Sequence, residues 1–149
     1  MGLFKGISKL ISPKRTVPLS VPTRQKHNLY SLSEWDRKWV CIGPLKTANL
    51  TPYNHCVGLY RHVINGETVY VGRAIELNNG GFRKRLSDYR RESDSGRTHT
   101  SGRLINQNLS KITTYVLVVG DTQEAIETTK ELEKLFVKKY NPKWNIQFK

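Results

Sequence analysis

Val57-Gly-Leu-Tyr-Arg-His-Val-Ile64, then Asn65-Gly66, then Glu67-Thr-Val-Tyr-Val-Gly72 is the stretch from which the fold can be read: two runs rich in β-branched and aromatic residues around a turn dipeptide. That is a hairpin, and its register has two readings. A two-residue Asn-Gly loop pairs Ile64 with Glu67 and sets Tyr60 opposite Val71, mixing polar and apolar side chains on each face. A three-residue loop, Ile64-Asn65-Gly66 with Gly66 left-handed in a bulge, pairs Val63 with Glu67 and Tyr60 with Tyr70. The second segregates the residues better. It gives a core face of Val57, Leu59, Val63, Val69 and Val71, past whose edge Arg61 and Glu67 must reach, and a second face of Gly58, Tyr60, His62, Thr68 and Tyr70. The expectation is two tyrosines side by side on the face turned away from the core, with Gly66 at positive φ.

Downstream of the hairpin, Gly80-Gly81 opens a basic helix from about Phe82 to Arg91, in which Phe82, Leu86 and Tyr89 make the apolar stripe and Arg85 flanks it. Residues 92–100 read as loop, and a short helix around Gly102 to Leu109 leads into Ile112 to Val119, the most strand-like run of the chain. Asp121 with Glu124 reads as a capping box opening a long helix that runs to about Tyr140, before Pro142. This order predicts an α/β (α+β) fold: a small central mixed or antiparallel three-stranded sheet flanked by helices, with a basic N-terminal extension.

The extension divides in two. In residues 1–23, Leu3, Ile7, Leu10 and Ile11 share one helical face, but Pro13, Pro18 and Pro22 forbid a continuing helix, so the segment reads as a flexible, basic, Pro-containing tail. Residues 24–55 hold one short helix, Ser33 to Val40, with Trp35 and Trp39 four apart; these read as packing rather than as a base-stacking platform. The segment is an element to contact DNA or a second copy. Residues 56–149 make the folded domain.

Composition narrows the function. The 149 residues contain 3 Trp, 7 Tyr and 4 Phe, enough for one core and too aromatic for a disordered chain. No run approaches the roughly 18 apolar residues of a membrane-spanning helix, and a secretory signal is not recognisable at the N-terminus, so the expectation is a cytoplasmic protein of a bacterial or phage-infected cell without integral membrane association. Two cysteines exclude a disulfide scaffold and a Cys-only zinc site. Against 12 acidic residues stand 25 Lys and Arg, a net charge of +13 that points to a polyanion, with nucleic acid ahead of an acidic lipid surface. The basic residues Arg73, Arg83, Lys84, Arg90, Arg91, Arg97 and Arg103 gather in one stretch and are the candidate phosphate contacts.

One acid is out of place. Stepping about 100° per residue along the last helix puts Ala125, Ile126, Thr129, Leu132, Phe136, Val137 and Tyr140 in an arc of about 140°, and Glu133 lies inside that arc. A carboxylate in a core-facing stripe must be paired with a cation or hold a metal, because leaving it bare costs several kcal/mol.

Together, Gly58-Leu-Tyr60, a second tyrosine in Tyr70-Val-Gly72, a helix carrying Arg85, and a closing helix with Glu133 followed by Asn-Pro-Lys-Trp-Asn145 resemble the GIY-YIG nucleases. The resemblance spans Val57 to Asn145. It implies a metal-dependent DNA endonuclease of compact restriction or phage type, with double-stranded DNA as partner, Mg²⁺ or Mn²⁺ as cofactor, Glu133 as the metal ligand, and Tyr60, Tyr70, Arg85, His99 and Asn145 as further site residues. Leu59 and Val71 stand where the family has Ile. Asn78-Asn79-Gly80-Gly81 lengthens the connection to the arginine helix, which makes Arg83 and Lys84 rivals to Arg85. Tyr89 stands where homing members often carry a histidine. A catalytically inactive nucleic-acid-binding protein on the same fold is the alternative.

In the chemistry so implied, one carboxylate suits a cation that keeps most of its waters. Tyr60 acts as general base, Tyr70 orients water and phosphate, Arg85 neutralises charge developing on the scissile phosphate, and His99 passes the proton outward. A free tyrosine has a pKa of about 10, so Tyr60 must be stabilised as phenolate or transfer its proton in concert with attack. One site per chain means that a double-strand cut needs a homodimer or two encounters.

Overall fold

The computed structural model describes residues 30–91, 100–146 and 148. The tail of residues 1–23, and the loop containing Arg97 and His99, lie outside these. Chain order is α1 (Leu32–Asp36), β1 (Val40–Pro44), a 3-10 turn (Thr51–Tyr53), β2 (Val57–Ile64), β3 (Glu67–Ala74), α2 (Gly81–Asp88), α3 (Thr100–Gln107), β4 (Thr113–Gly120) and α4 (Gln123–Tyr140). The sheet has four strands rather than three, in the order β1-β4-β2-β3, and every neighbouring pair is antiparallel.

The additional strand comes from the segment expected to be helical through Val40. The helix instead stops at Asp36, where Trp39 Nε1 donates to the Asp36 carboxylate at 2.9 Å and Tyr140 and Lys139 of α4 converge on the same group. With the chain turned there, Val40-Cys-Ile is free to pair with β4, as its β-branched residues favour. Five residues broken by a bulge and by Gly43 at φ +91° carry too little alternation to be read as a strand beforehand.

The hairpin also departs from its expected register. Ile64 pairs with Glu67 across a two-residue turn in which both Asn65 (φ 51°) and Gly66 (φ 79°) are left-handed, the arrangement whose twist matches the strands. The mixing of faces that counted against this register is undone by a bulge. Val63 pairs with Thr68 and His62 with Tyr70, so Val69 is skipped and the alternation changes phase. Beyond the bulge Tyr60 faces Gly72, not Tyr70, while Thr68 joins the Arg61 side, accepting from Arg61 Nη1 at 2.9 Å.

Both sheet faces are covered, which corrects the expectation of a single core face. On one side Leu59, Val71 and Leu117 meet Trp35, Leu132, Phe136 and Val137; on the other Tyr60, Ala74 and Val116 meet Leu45, Phe82, Leu86 and Ile105. The tyrosines therefore lie on a buried face. Trp35 and Trp39 pack against the α4 side, Trp39 edge-on to Phe136 at 5.4 Å, as their spacing suggested. The cap of α4 is Thr122, whose side-chain oxygen accepts from Ala125 N, rather than Asp121. No helix among the described residues is long and apolar enough to cross a membrane.

Candidate active site

Strand alternation brings Tyr60 and His62 of β2 to one face with Tyr70 of β3, and the C-cap of α2 adds Tyr89, one turn after Arg85. The Tyr60 and Tyr89 hydroxyls are 2.6 Å apart. Tyr70 stands 6.2 Å from Tyr60, ring to ring, and stacks on His62 at 6.1 Å. The motif tyrosines thus lie near each other on one face, although the two-residue turn and the bulge set Tyr60 opposite Gly72 and Tyr70 opposite His62. Burial pushes the Tyr60 hydroxyl well above its ordinary pKa; the neighbouring Tyr89 and Tyr70 add to this and Arg85 only partly offsets it. Burial likewise raises Tyr89 and Tyr70, with the Glu133 carboxylate adding to the effect at Tyr70. A standing phenolate at Tyr60 does not fit this environment.

His62 is wholly buried. Its Nδ1 lies 2.9 Å from Thr114 Oγ1, its Nε2 has no hydrogen-bond partner among the described residues, and burial depresses its pKa to about 3, so the ring is neutral. The cluster then consists of four neutral rings in contact.

The charges stand around it. Arg85 Nη2 donates to Glu76 Oε1 at 2.8 Å, and the other Glu76 oxygen takes Lys84 at 2.8 Å. Those partners hold the Glu76 carboxyl below its usual range, the Lys84 hydrogen bond first. Arg85 is thereby fixed, while its Nε is buried beside the tyrosine face without a partner among the described residues. This separates it from its rivals: Arg83 is exposed and Lys84 is spent on Glu76 and Asp88. Glu133, buried as the helical arc required, receives Arg73 Nη1 at 3.1 Å. Burial raises the Glu133 pKa, and Arg73 works against that rise. Although Glu133 projects from the helix on the opposite sheet face, it influences Tyr70 and is influenced by Arg85. Charge thus links Glu133 to Tyr70 and Arg85, and Arg85 to Tyr60, while the direct contact of Glu133 is with Arg73.

Asn145 serves the backbone. Its Oδ1 accepts from Val71 N at 2.9 Å and its Nδ2 donates to Val71 O at 2.8 Å, closing the outer edge of β3 between the two site positions Tyr70 and Gly72. Both ends of the amide are used, so its contribution to the site is to position that edge. Tyr89 and Glu76 were not singled out as site residues from sequence. The i, i+4 spacing from Arg85 carried the signal for Tyr89; nothing local carried one for Glu76.

The cations expected to meet phosphate divide into two kinds. Arg73 is held by Glu133, Lys84 by Glu76, and Arg90 donates from Nε to Leu45 O at 2.8 Å and from Nη2 to Ala48 O, stapling α2 to the loop after β1. Arg91 lies 3.8 Å from Asp88. Arg83 and Arg103 are exposed, and no described partner holds them. Arg97 and His99 fall outside the described residues. Among the described residues no group of three or more His, Cys, Asp or Glu converges as a metal cage would. The donor set at Glu133 is one buried carboxylate with Oε1 on Arg73 and Oε2 not engaged there, which fits a hard cation retaining water and does not fit structural zinc.

No family model matches the sequence, and no curated protein matches it. Among solved structures, the chain is similar to two crystal structures of the GIY-YIG N-terminal endonuclease domain of UvrC from Thermotoga maritima, one bound to magnesium and one a point mutant bound to its catalytic divalent cation. Each is 21% identical, with TM-scores of 0.45 and 0.44; 65% and 66% of this chain and 91% of each domain are covered. The likeness is one of architecture.

Proposed function

We propose that this chain is a GIY-YIG-type endonuclease that hydrolyses phosphodiester bonds of double-stranded DNA with Mg²⁺ or Mn²⁺, at the face carrying Tyr60, Tyr70, Tyr89 and Arg85, with Glu133 contributing from α4 beside Arg73 of the edge strand β3. The observation that supports it most is the meeting of two fixed cations and one buried carboxylate around a set of buried tyrosine hydroxyls, a costly arrangement for stability alone. Arg85, held in place by Glu76, presents the remainder of its fork to the scissile phosphate and neutralises charge developing on its oxygens. Tyr60 positions the attacking water. Its raised pKa argues against a standing phenolate: Tyr60 accepts the proton of the attacking water only as its own leaves along the hydrogen bond to Tyr89, whose hydroxyl releases its proton in turn to solvent. Tyr70 orients water and phosphate. Glu133 would hold the cation, which when bound supplies Lewis acidity at the leaving oxygen.

A second reading, a non-catalytic nucleic-acid-binding protein, draws on one feature: Glu133 and Arg85 are each already satisfied, by Arg73 and Glu76. Incubating supercoiled plasmid with the protein separates the two. Nicked or linear product with Mg²⁺ and none with EDTA is expected. Retarded but intact plasmid under both conditions would favour the second reading.

A further inference from the structure

Away from the tyrosine face, a polar groove of about 950 Å³ opens between the 48–55 segment, the 77–80 turn and the outward side of α2. The helix and the turn that ends it divide their residues between the two sites. Phe82, Arg85, Leu86 and Tyr89 point to the sheet, whereas Arg83, Lys84, Ser87, Asp88 and Arg91 line the groove. Glu76 stands between them, one oxygen on Arg85 and the other on Lys84. The groove's walls are fixed. Arg90 ties α2 to the carbonyls of Leu45 and Ala48, and Gly81, at φ +48°, lets the 77–82 backbone approach so closely that a Cβ there would stand 2.2 Å from Cys56 O. Phe82 N then donates to that same carbonyl at 3.3 Å.

The rims carry amides. Asn49 and Asn54 come from one side, and the exposed Asn78 and Asn79, whose side chains have no partner among the described residues, from the other. Asn49 Oδ1 accepts from Thr51 N at 3.1 Å, which fixes that amide. A rigid groove with cations along one wall and neutral donor–acceptor pairs on its rims matches a nucleic-acid strand, whose phosphates meet charge and whose base edges meet amides.

We infer that this groove reads bases of the nucleic-acid strand flanking the scissile phosphate, Asn78 and Asn79 contacting base edges and Arg83 and Arg91 the phosphates. Asparagine pairs bidentately with adenine, so adenine is the base preferred. Groove and tyrosine face lie on opposite sides of one helix about 10 Å across, so at about 3.4 Å per base pair the base that is read stands about three positions from the cut. Only that position rests on the nuclease reading; the binding preference does not.

The test is selection from randomised DNA, duplex and single-stranded in parallel, bound in EDTA and sequenced, together with Mg²⁺-dependent cleavage of the selected pool. The parent should enrich adenine about 10-fold or more at one or two adjacent positions, in the duplex arm if double-stranded DNA is the ligand and in the other if a free strand is. Asn78→Ala/Asn79→Ala should bind the unselected pool within about 2-fold of the parent, keep its melting temperature and enrich nothing. Arg83→Ala should weaken binding uniformly while keeping the preference. A parent that enriches no base, or a double variant that enriches the same one, overturns the inference. Enrichment without cleavage would refute the proposed activity and leave the groove standing; cleavage without enrichment would do the reverse.

Discussion

The phenol of Tyr60 lies across the backbone of Gly72, so near that a Cβ on residue 72 would stand 2.5 Å from both Cζ and Oη of Tyr60. The bulge at Val69 creates that contact, because in the register of the two-residue turn it sets Tyr60 opposite Gly72 instead of Val71. Gly72→Ala should therefore push Tyr60 off its hydrogen bond with Tyr89. The expected cost is about 1–3 kcal/mol of stability, the scale of overpacking in a filled core, together with a loss of cleavage. Denaturant melts and a plasmid assay measure the two; a variant that melts and cuts like the parent would mean that Tyr60 does not need its observed position.

The tyrosine cluster should also be visible on titration. Tyr60 and Tyr89 are held protonated chiefly by burial, and Tyr140 is pushed up to about 12, first by burial and then by Asp36. Their folded pKa values lie above the unfolded value of about 10, so the stability they contribute is complete below pH 10 and is lost as pH rises beyond it. Phenolate absorbance should therefore show two classes: tyrosines ionising before unfolding, and a group, including Tyr60 and Tyr89, ionising only as the fold is lost. A single class near pH 10 with the fold intact would contradict the buried cluster.

His62 predicts the opposite limb. Its folded pKa of about 3 lies below the unfolded value of about 6.5, so the unfolded chain takes up a proton across that window and the folded one does not. Stability should fall as pH drops below about 6.5, by up to about 1.4 kcal/mol per pH unit from this one group. Above about pH 4.5 this slope is not shared with Asp36 and Glu76, whose carboxyls sit below their usual range. His62→Gln should flatten the melting temperature between pH 7 and about pH 5; an unchanged slope would mean that His62 is solvated or charged in the folded protein.

Much of this was legible from local pattern. The hairpin, the α2 stripe of Phe82, Leu86 and Tyr89, the strand after it and the inward placement of Glu133 all follow from alternation or helical spacing within a dozen residues. What escaped depends on distant partners. The bulge at Val69 changes which side chains face each other without altering any run of residue types, and β1 becomes a strand only because β4 is there to pair with it. The basic stretch read as one phosphate-binding set because charge is visible in sequence. That Arg90 is consumed by the carbonyls of Leu45 and Ala48, and Arg73 by Glu133, is not.

Glu133 is proposed to serve chemistry and not only the ion pair with Arg73. The most direct measurement is the Mg²⁺-dependent rate of plasmid cleavage by Glu133→Gln beside its thermal melt, since glutamine can still accept from Arg73 while lacking the charge that holds a cation. The expected result is a folded protein that binds DNA and cuts at least about 10²-fold more slowly than the parent. A folded Glu133→Gln that cuts at the parent rate would contradict it.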